Sequence, residues 1–317
     1  MQAKNIVMTI LALVLIGSVA YLFIKSSDET MVVKDEPTPT ETTEDLSSDS
    51  DKEKGEESRP LNEVVIRERG EESSLGFSAN GNEIIAYHFG HGANEILFIG
   101  GTHGGYSWNT ALVGYELVDY LKANPEAIPE NVTVTVIPLL NPDGLEATIG
   151  KTGKFTSADA TGISDETRVA GRFNANEVDL NRNFDCEWKA TGTWKDQSVS
   201  GGESPFSESE AVAVRDYVET YKPVAAVVWF SSEGKVYPSA CKGVPSKDSV
   251  TLAATFATAA GYPAEAEFNA YAITGDMVNW MAGQGIPAIS VLLSDHNSTE
   301  WEKNEAGIEA VIKAYSE

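Results

Sequence analysis

Runs of strand character at Ser74–Phe77 and Glu83–Phe89 flank Ser78-Ala-Asn-Gly-Asn82, a pattern that predicts a β-hairpin. Glu95–Ile99 is a short apolar run of the buried-strand type, ending at Gly100-Gly101. The spacing then becomes helical, with Ala111, Leu112, Tyr115, Leu117, Val118 and Leu121 predicting a helix over Ala111–Leu121. Val132–Leu140 returns to a strand, and Asn141-Pro-Asp-Gly144 closes it as a turn. Ser207–Tyr221 reads as a helix opened by the capping box Ser207-Glu-Ser-Glu210. A strand at Val224–Phe230, helices at Ser249–Ala260 and Asp276–Gly283, a strand at Ala288–Leu293 and a last helix near Thr299–Tyr315 complete the pattern. Strands alternating with helices imply an α/β sheet covered on both faces. No internal repeat is present.

Upstream of Leu61 the pattern is different. Asn5–Ile24 is an almost charge-free apolar stretch between Lys4 and Lys25. About 20 residues at 1.5 Å each match the thickness of a bilayer core, so residues 1–25 are expected to form a membrane anchor. The alternative is a cleaved signal peptide, because Ser18-Val19-Ala20 offers the small residues of a cleavage site. The apolar run continues past that point through Tyr21–Ile24, which favours the anchor. Either way the remaining chain is expected outside the cytoplasm: single-pass with the C-terminal domain exported, or secreted if the segment is cleaved. Residues 26–60 carry twelve Asp/Glu against four Lys/Arg. Such a stretch buries too little apolar surface to offset its ordering entropy, and it reads as a disordered linker. Residues 61–317 are then one globular domain.

Composition narrows the function. A formal net charge of −25 without Lys/Arg clusters argues against nucleic acid, whose phosphates require them. The chain has two cysteines, Cys186 and Cys241, which in an exported protein suggest a disulfide. No G-x-G-x-x-G follows a strand and no G-x-S-x-G elbow occurs, which disfavours a dinucleotide site and a serine hydrolase.

Three motifs carry the candidate chemistry. Gly100-Gly-Thr-His103-Gly-Gly-Tyr106 follows a strand, Asn141-Pro-Asp-Gly144 follows the next, and Asp179-Leu-Asn-Arg-Asn-Phe184 comes with Arg172 nine residues before Asn181. Together these resemble the zinc carboxypeptidase (carboxypeptidase A-like) family, from about Leu75 to the C-terminus. The resemblance implies a mixed eight-stranded sheet between helices, with the site above the strand ends. It also implies that Asn181 and Arg182 hold a substrate's terminal carboxylate, that Arg172 polarises the scissile carbonyl, that Tyr271 caps the substrate and that Asp179 orients His103. Arginine suits both of its roles, since its planar fork makes paired, charge-assisted bonds to oxygen.

The metal half of the resemblance is broken. Hydrolytic zinc needs three protein ligands, one open position and a carboxylate base. His103 matches the first ligand, but Tyr106 stands at the ligand Glu, Ser231 at the second ligand His, and Leu292 at the catalytic Glu. The other histidines offer little replacement: His88 and His91 read as surface residues on or beside a hairpin strand, and His296 lies at a position that is not a ligand in the family. The expectation is a catalytically inactive domain without a cofactor, whose partners are the C-terminus of a peptide, or of a cell-wall peptide, and the membrane. Zinc returns only if an active enzyme uses displaced ligands such as Glu233, Asp143 or Tyr106. A scaffold that pairs with an active relative is the third reading.

Overall fold

The computed structural model describes residues 70–317. The expected anchor at 1–25, the expected acidic linker at 26–60 and the first residues of the expected domain lie outside the described residues. Among the described residues, no helix is long and apolar enough to cross a membrane.

The strands are β1 (Glu72–Phe77), β2 (Glu83–Gly90), β3 (Asn94–Ile99), β4 (Val132–Ile137), β5 (Thr191–Trp194), β6 (Gln197–Ser200), β7 (Ala225–Ser231), β8 (Lys235–Pro238) and β9 (Ala288–Leu293). The helices are α1 (Trp108–Ala123), α2 (Pro142–Ile149), α3 (Asp165–Ala170), α4 (Ser209–Tyr221), α5 (Lys247–Ala260), α6 (Met277–Gly283) and α7 (Trp301–Ala314). Seven strands form one sheet in the order β1-β2-β4-β3-β7-β9-β8. The four central strands β4, β3, β7 and β9 run parallel, and β1, β2 and β8 are antiparallel to their neighbours. The expected count of eight is thus corrected to seven among the described residues, because β5 and β6 pair only with each other in a separate ribbon.

Both faces of the sheet are covered, as helices buried on opposite sides require. On one face Val113, Leu117 and Leu121 of α1, Phe256 of α5 and Ile308 of α7 pack with Phe98 and Trp229. On the other, Val214 and Tyr217 of α4 and Met277, Val278 and Met281 of α6 pack with Val228 and Phe230. Alternate residues of β7 therefore feed opposite cores, the period-two rule for a strand covered on both sides.

Three local expectations need correction. Asn141-Pro-Asp-Gly144 is not a free turn: Asn141 caps α2, its Oδ1 accepting from Gly144 N at 2.8 Å, with Pro142 at the first helical position. The capping box at Ser207 does not form. Glu208 occupies the cap of α4, its backbone N–H donates to Asn183 Oδ1 at 3.0 Å, and its carboxylate accepts from Asn174 and Asn176. Tertiary partners have taken the groups the box would use. His88 is likewise buried rather than at the surface, with Nδ1 3.0 Å from Thr135 Oγ1.

Candidate functional site

The chain leaves β3 through α1 to reach β4 on one side, and the next strand added to β3 is β7, on its other side. The carboxyl ends of β3 and β7 therefore flank a crevice that no crossover fills, the place where open α/β sheets bind ligands. Gly100–Tyr106 follows β3 into this crevice, Ser231 ends β7, and Leu292 lies near the end of β9.

The Asp179–Phe184 segment is fastened on every side. Leu180 and Phe184 are buried in the core beneath α4 and α6. Asn181 Nδ2 donates to Asp276 Oδ2 at 2.7 Å, and Asn181 Oδ1 accepts from Met277 N at 3.1 Å, pinning the start of α6. Asn183 Nδ2 donates to Gly201 O at 2.7 Å while its Oδ1 holds the start of α4. Arg182, only 1% exposed, donates from Nη1 to Asn181 O at 2.8 Å and from Nη2 to Thr193 O of β5 at 3.0 Å. Its Nε has no partner.

Asp179 links two other predicted site residues. Arg172 Nε and Nη2 donate to Asp179 Oδ2 at 3.0 and 2.8 Å, and His103 Nε2 lies 3.3 Å from Oδ1. Neither ring nitrogen of His103 makes an aligned hydrogen bond. Burial, reinforced by the Arg172 charge, lowers the His103 pKa to about 4, so the ring is neutral near pH 7. Burial opposes the Asp179 charge, but Arg172 and His103 outweigh it and hold the carboxyl well below the usual range.

Arg172, Asn181, Arg182 and Tyr271 all line one cavity of about 810 Å³, together with His103, Tyr106, Ser231 and Leu292. The sequence-derived site is thus brought together in one place. Trp194, at the end of β5, was missed by sequence reasoning. It lies 4.4 Å from the Arg172 guanidinium and meets Tyr106 edge-on at 5.1 Å. Its signal was Thr191-Gly-Thr-Trp-Lys-Asp-Gln-Ser-Val-Ser200, two short alternating runs around a two-residue turn. His296 also reaches the cavity, its ring 4.6 Å from that of Tyr106. Burial, followed by the Arg168, Lys195 and Arg172 charges, lowers its pKa to about 4. Cys186 and Cys241 form a disulfide.

Strand register reassigns one position. Ser231 pairs with Leu293, and its Oγ donates to Asn109 Oδ1 of α1 at 3.0 Å. Phe230 pairs with Leu292, shares its core, and sets its ring 5.5 Å from that of His103. The β7 residue packed against His103 is therefore Phe230, not Ser231; pairing β7 with β9 reveals this, whereas motif matching does not.

The surroundings of His103 do not fit a catalytic zinc. A phenyl ring, the Tyr106 phenol and the Leu292 side chain line the cavity beside it, and none replaces a carboxylate or imidazole. Asp143 is occupied by Ser78 Oγ, Asn80 N, Asn82 Nδ2 and Ala175 N, and Glu233 accepts from the Tyr237 hydroxyl. Among the described residues, no three His, Cys, Asp or Glu side chains converge to hold a metal ion.

The sheet is that of an open, mixed α/β protein with an arginine-lined crevice at the carboxyl ends of its central strands. The family model described as zinc carboxypeptidase matches residues 67–313, and the chain belongs to that family. Among solved structures, a carboxypeptidase A from Helicoverpa armigera is similar at 17% identity and a TM-score of 0.62, over 77% of this chain and 68% of that one. Bovine thrombin-activatable fibrinolysis inhibitor, in complex with tick carboxypeptidase inhibitor, gives 18% and 0.60 over 78% and 88%. Murein-tripeptide amidase MpaA from Escherichia coli O157 gives 20% and 0.55 over 78% and 93%. Curated relatives include Bacteriocin BCN5 of Clostridium perfringens, 29% identical over 46% of this chain, and human Carboxypeptidase Z, 31% identical over 35%. The matches span only 15% and 18% of those two relatives' lengths.

Proposed function

We propose that this domain is a non-catalytic member of the family that binds the C-terminal carboxylate of a peptide outside the cytoplasm. The observation that carries the reading is Arg182. It is a buried cation lining the cavity, it has an unpartnered Nε, and it forms no ion pair among the described residues. Two carbonyls use two of its five N–H donors, and Tyr271 hydrogen-bonds it. Asp179 and Asp276 act on its charge without touching it, so no carboxylate contacts this buried guanidinium directly. A ligand carboxylate would supply both the charge and the missing acceptor. Arg172 spends Nε and Nη2 on Asp179 and keeps Nη1 for a second ligand oxygen. Phe230, Tyr106 and Leu292, the side chains beside His103, supply no carboxylate base for hydrolysis.

The Cys186–Cys241 disulfide supports an oxidising compartment, and the apolar segment Asn5–Ile24 would tether the domain to a membrane. A cell-wall peptide is one source of a free C-terminus in that setting.

The test uses the purified full chain. Metal analysis is expected to find no stoichiometric zinc, and calorimetric titration to show an acetylated tripeptide binding at least about tenfold more tightly than its amidated twin. Chelatable zinc with release of C-terminal residues would overturn the reading. Equal or absent binding of both peptides would favour a scaffold instead.

A further inference from the structure

We infer that the β5–β6 ribbon positions the arginines of the cavity: Gly192, Thr193 and Trp194, consecutive residues of β5, hold Arg172 and Arg182 in the geometry a ligand carboxylate requires. The inference rests on the carboxylate-binding reading and gives that task to a segment outside the main sheet. Backbone bonds set the ribbon against the Asp179–Phe184 segment. Val178 bridges Ser200 of β6, and Asp179 N donates to Ser200 O at 3.0 Å. Trp194 and Val199 are buried with Tyr106 in a small apolar cluster separate from the two cores of the sheet. Alternation along β5 buries Gly192 and Trp194 and exposes Thr191 and Thr193.

Each of the three residues meets an arginine differently. Thr193 O accepts from Arg182 Nη2 at 3.0 Å. Gly192 makes room for the stem of the same side chain: a Cβ there would lie 2.8 Å from Arg182 Cδ and 3.1 Å from its Nε, the atom left without a partner. Arg182 is buried and held at both Nη atoms, so it has little freedom to step aside. Trp194 lies 4.4 Å from the Arg172 guanidinium, while Asp179 takes the donors Nε and Nη2. A ring contact and a paired ion contact together fix the orientation of the planar group and leave Nη1 for a ligand. Tyr106 supports the arrangement from beneath, edge-on to Trp194 at 5.1 Å and with its ring centre 5.5 Å from the same guanidinium. The side chain at the family's ligand-Glu position thus becomes the base of an arginine clamp.

The full chain is titrated calorimetrically with acetyl-Ala-Ala-Ala and with its C-terminal amide. The wild type is expected to favour the acid at least about tenfold. Gly192 has no left-handed φ, so Gly192→Ala adds a methyl group against Arg182 without backbone strain. It should lower the acid-to-amide ratio to about threefold or less, through weaker binding of the acid. Trp194→Leu should do the same, and Trp194→Phe, which keeps a ring face, should restore most of the ratio. Melting transitions identify the folded variants. Tryptophan emission supplies a second readout that a merely structural role would not move: saturation with the acid peptide should change it, and Trp194→Phe should remove the change while still binding. Folded Gly192→Ala and Trp194→Leu variants that keep the wild-type ratio overturn the inference and leave the carboxylate reading intact. If neither variant folds, the emission decides, and a change that persists in Trp194→Phe overturns the inference. A wild type that does not discriminate acid from amide overturns both.

Discussion

Asp179 is fully buried yet ionised, because Arg172 faces one of its oxygens and His103 the other. The arrangement is a buried ion pair, whose net worth to stability is small but whose disruption is expensive. Asp179→Ala would leave the Arg172 guanidinium buried and unpaired. We expect it to lower unfolding free energy by about 3–5 kcal/mol in denaturant titration, with Asp179→Asn less damaging because it keeps an acceptor. At this scale the residue types of the site were legible in sequence. What each one touches was not. Asn181 and Asn183 fit a ligand-binding motif by position, but their amides spend bonds on pinning α6 and α4. Ser231 fits a ligand position by motif, yet Phe230 is the side chain against His103.

Between elements, the segment of the Asp179–Phe184 motif and the loop of Tyr271 are joined by backbone. Gly275 O accepts from Phe184 N at 3.0 Å, and Gly275 N donates to Cys186 O at 2.8 Å. This close approach requires glycine: φ is +65° and an added Cβ would lie 2.1 Å from Arg182 O. Gly275→Ala therefore combines left-handed strain with a backbone collision. It should cost about 1–3 kcal/mol or more in unfolding experiments and weaken peptide binding, because Tyr271 and Arg182 shift together. The disulfide closes a longer loop, with a separation of 55 residues between Cys186 and Cys241. Chain-entropy reasoning gives about 4 kcal/mol for a loop of this length, so a double Cys→Ala variant should melt at markedly lower temperature. Element type was largely legible from periodicity. The helices α2 and α3 and strand β8 were not, because short elements carry too few periods to distinguish them from loops.

For the molecule as a whole, acid is the expected weakness. His103 has a folded pKa of about 4 against an ordinary 6.5, so between those values the unfolded chain binds a proton that the folded chain excludes. Stability therefore rises with pH across that window and falls on acidification. The His103 contribution is roughly 3 kcal/mol, measurable as a decline in unfolding free energy from pH 7 to pH 4 that His103→Gln reduces, with chelator present throughout. Below about pH 4 the lowered pKa of Asp179 adds to the loss, since the folded state resists protonating it.

Sequence alone determined the α/β class, the candidate site residues and the pairing of Cys186 with Cys241. Each of these rests on local signals, namely periodicity, motif spacing and a count of two cysteines. Only the tertiary structure decided what surrounds those residues. It turned Asn141–Gly144 into a helix start, put Glu208 at the cap of α4 in place of the Ser207 capping box, set Phe230 against His103 and laid Arg172 over Trp194. The physical reason is that hydrogen-bond partners, strand register and burial are relations between distant segments, and a linear pattern specifies a residue's chemistry without specifying its neighbours.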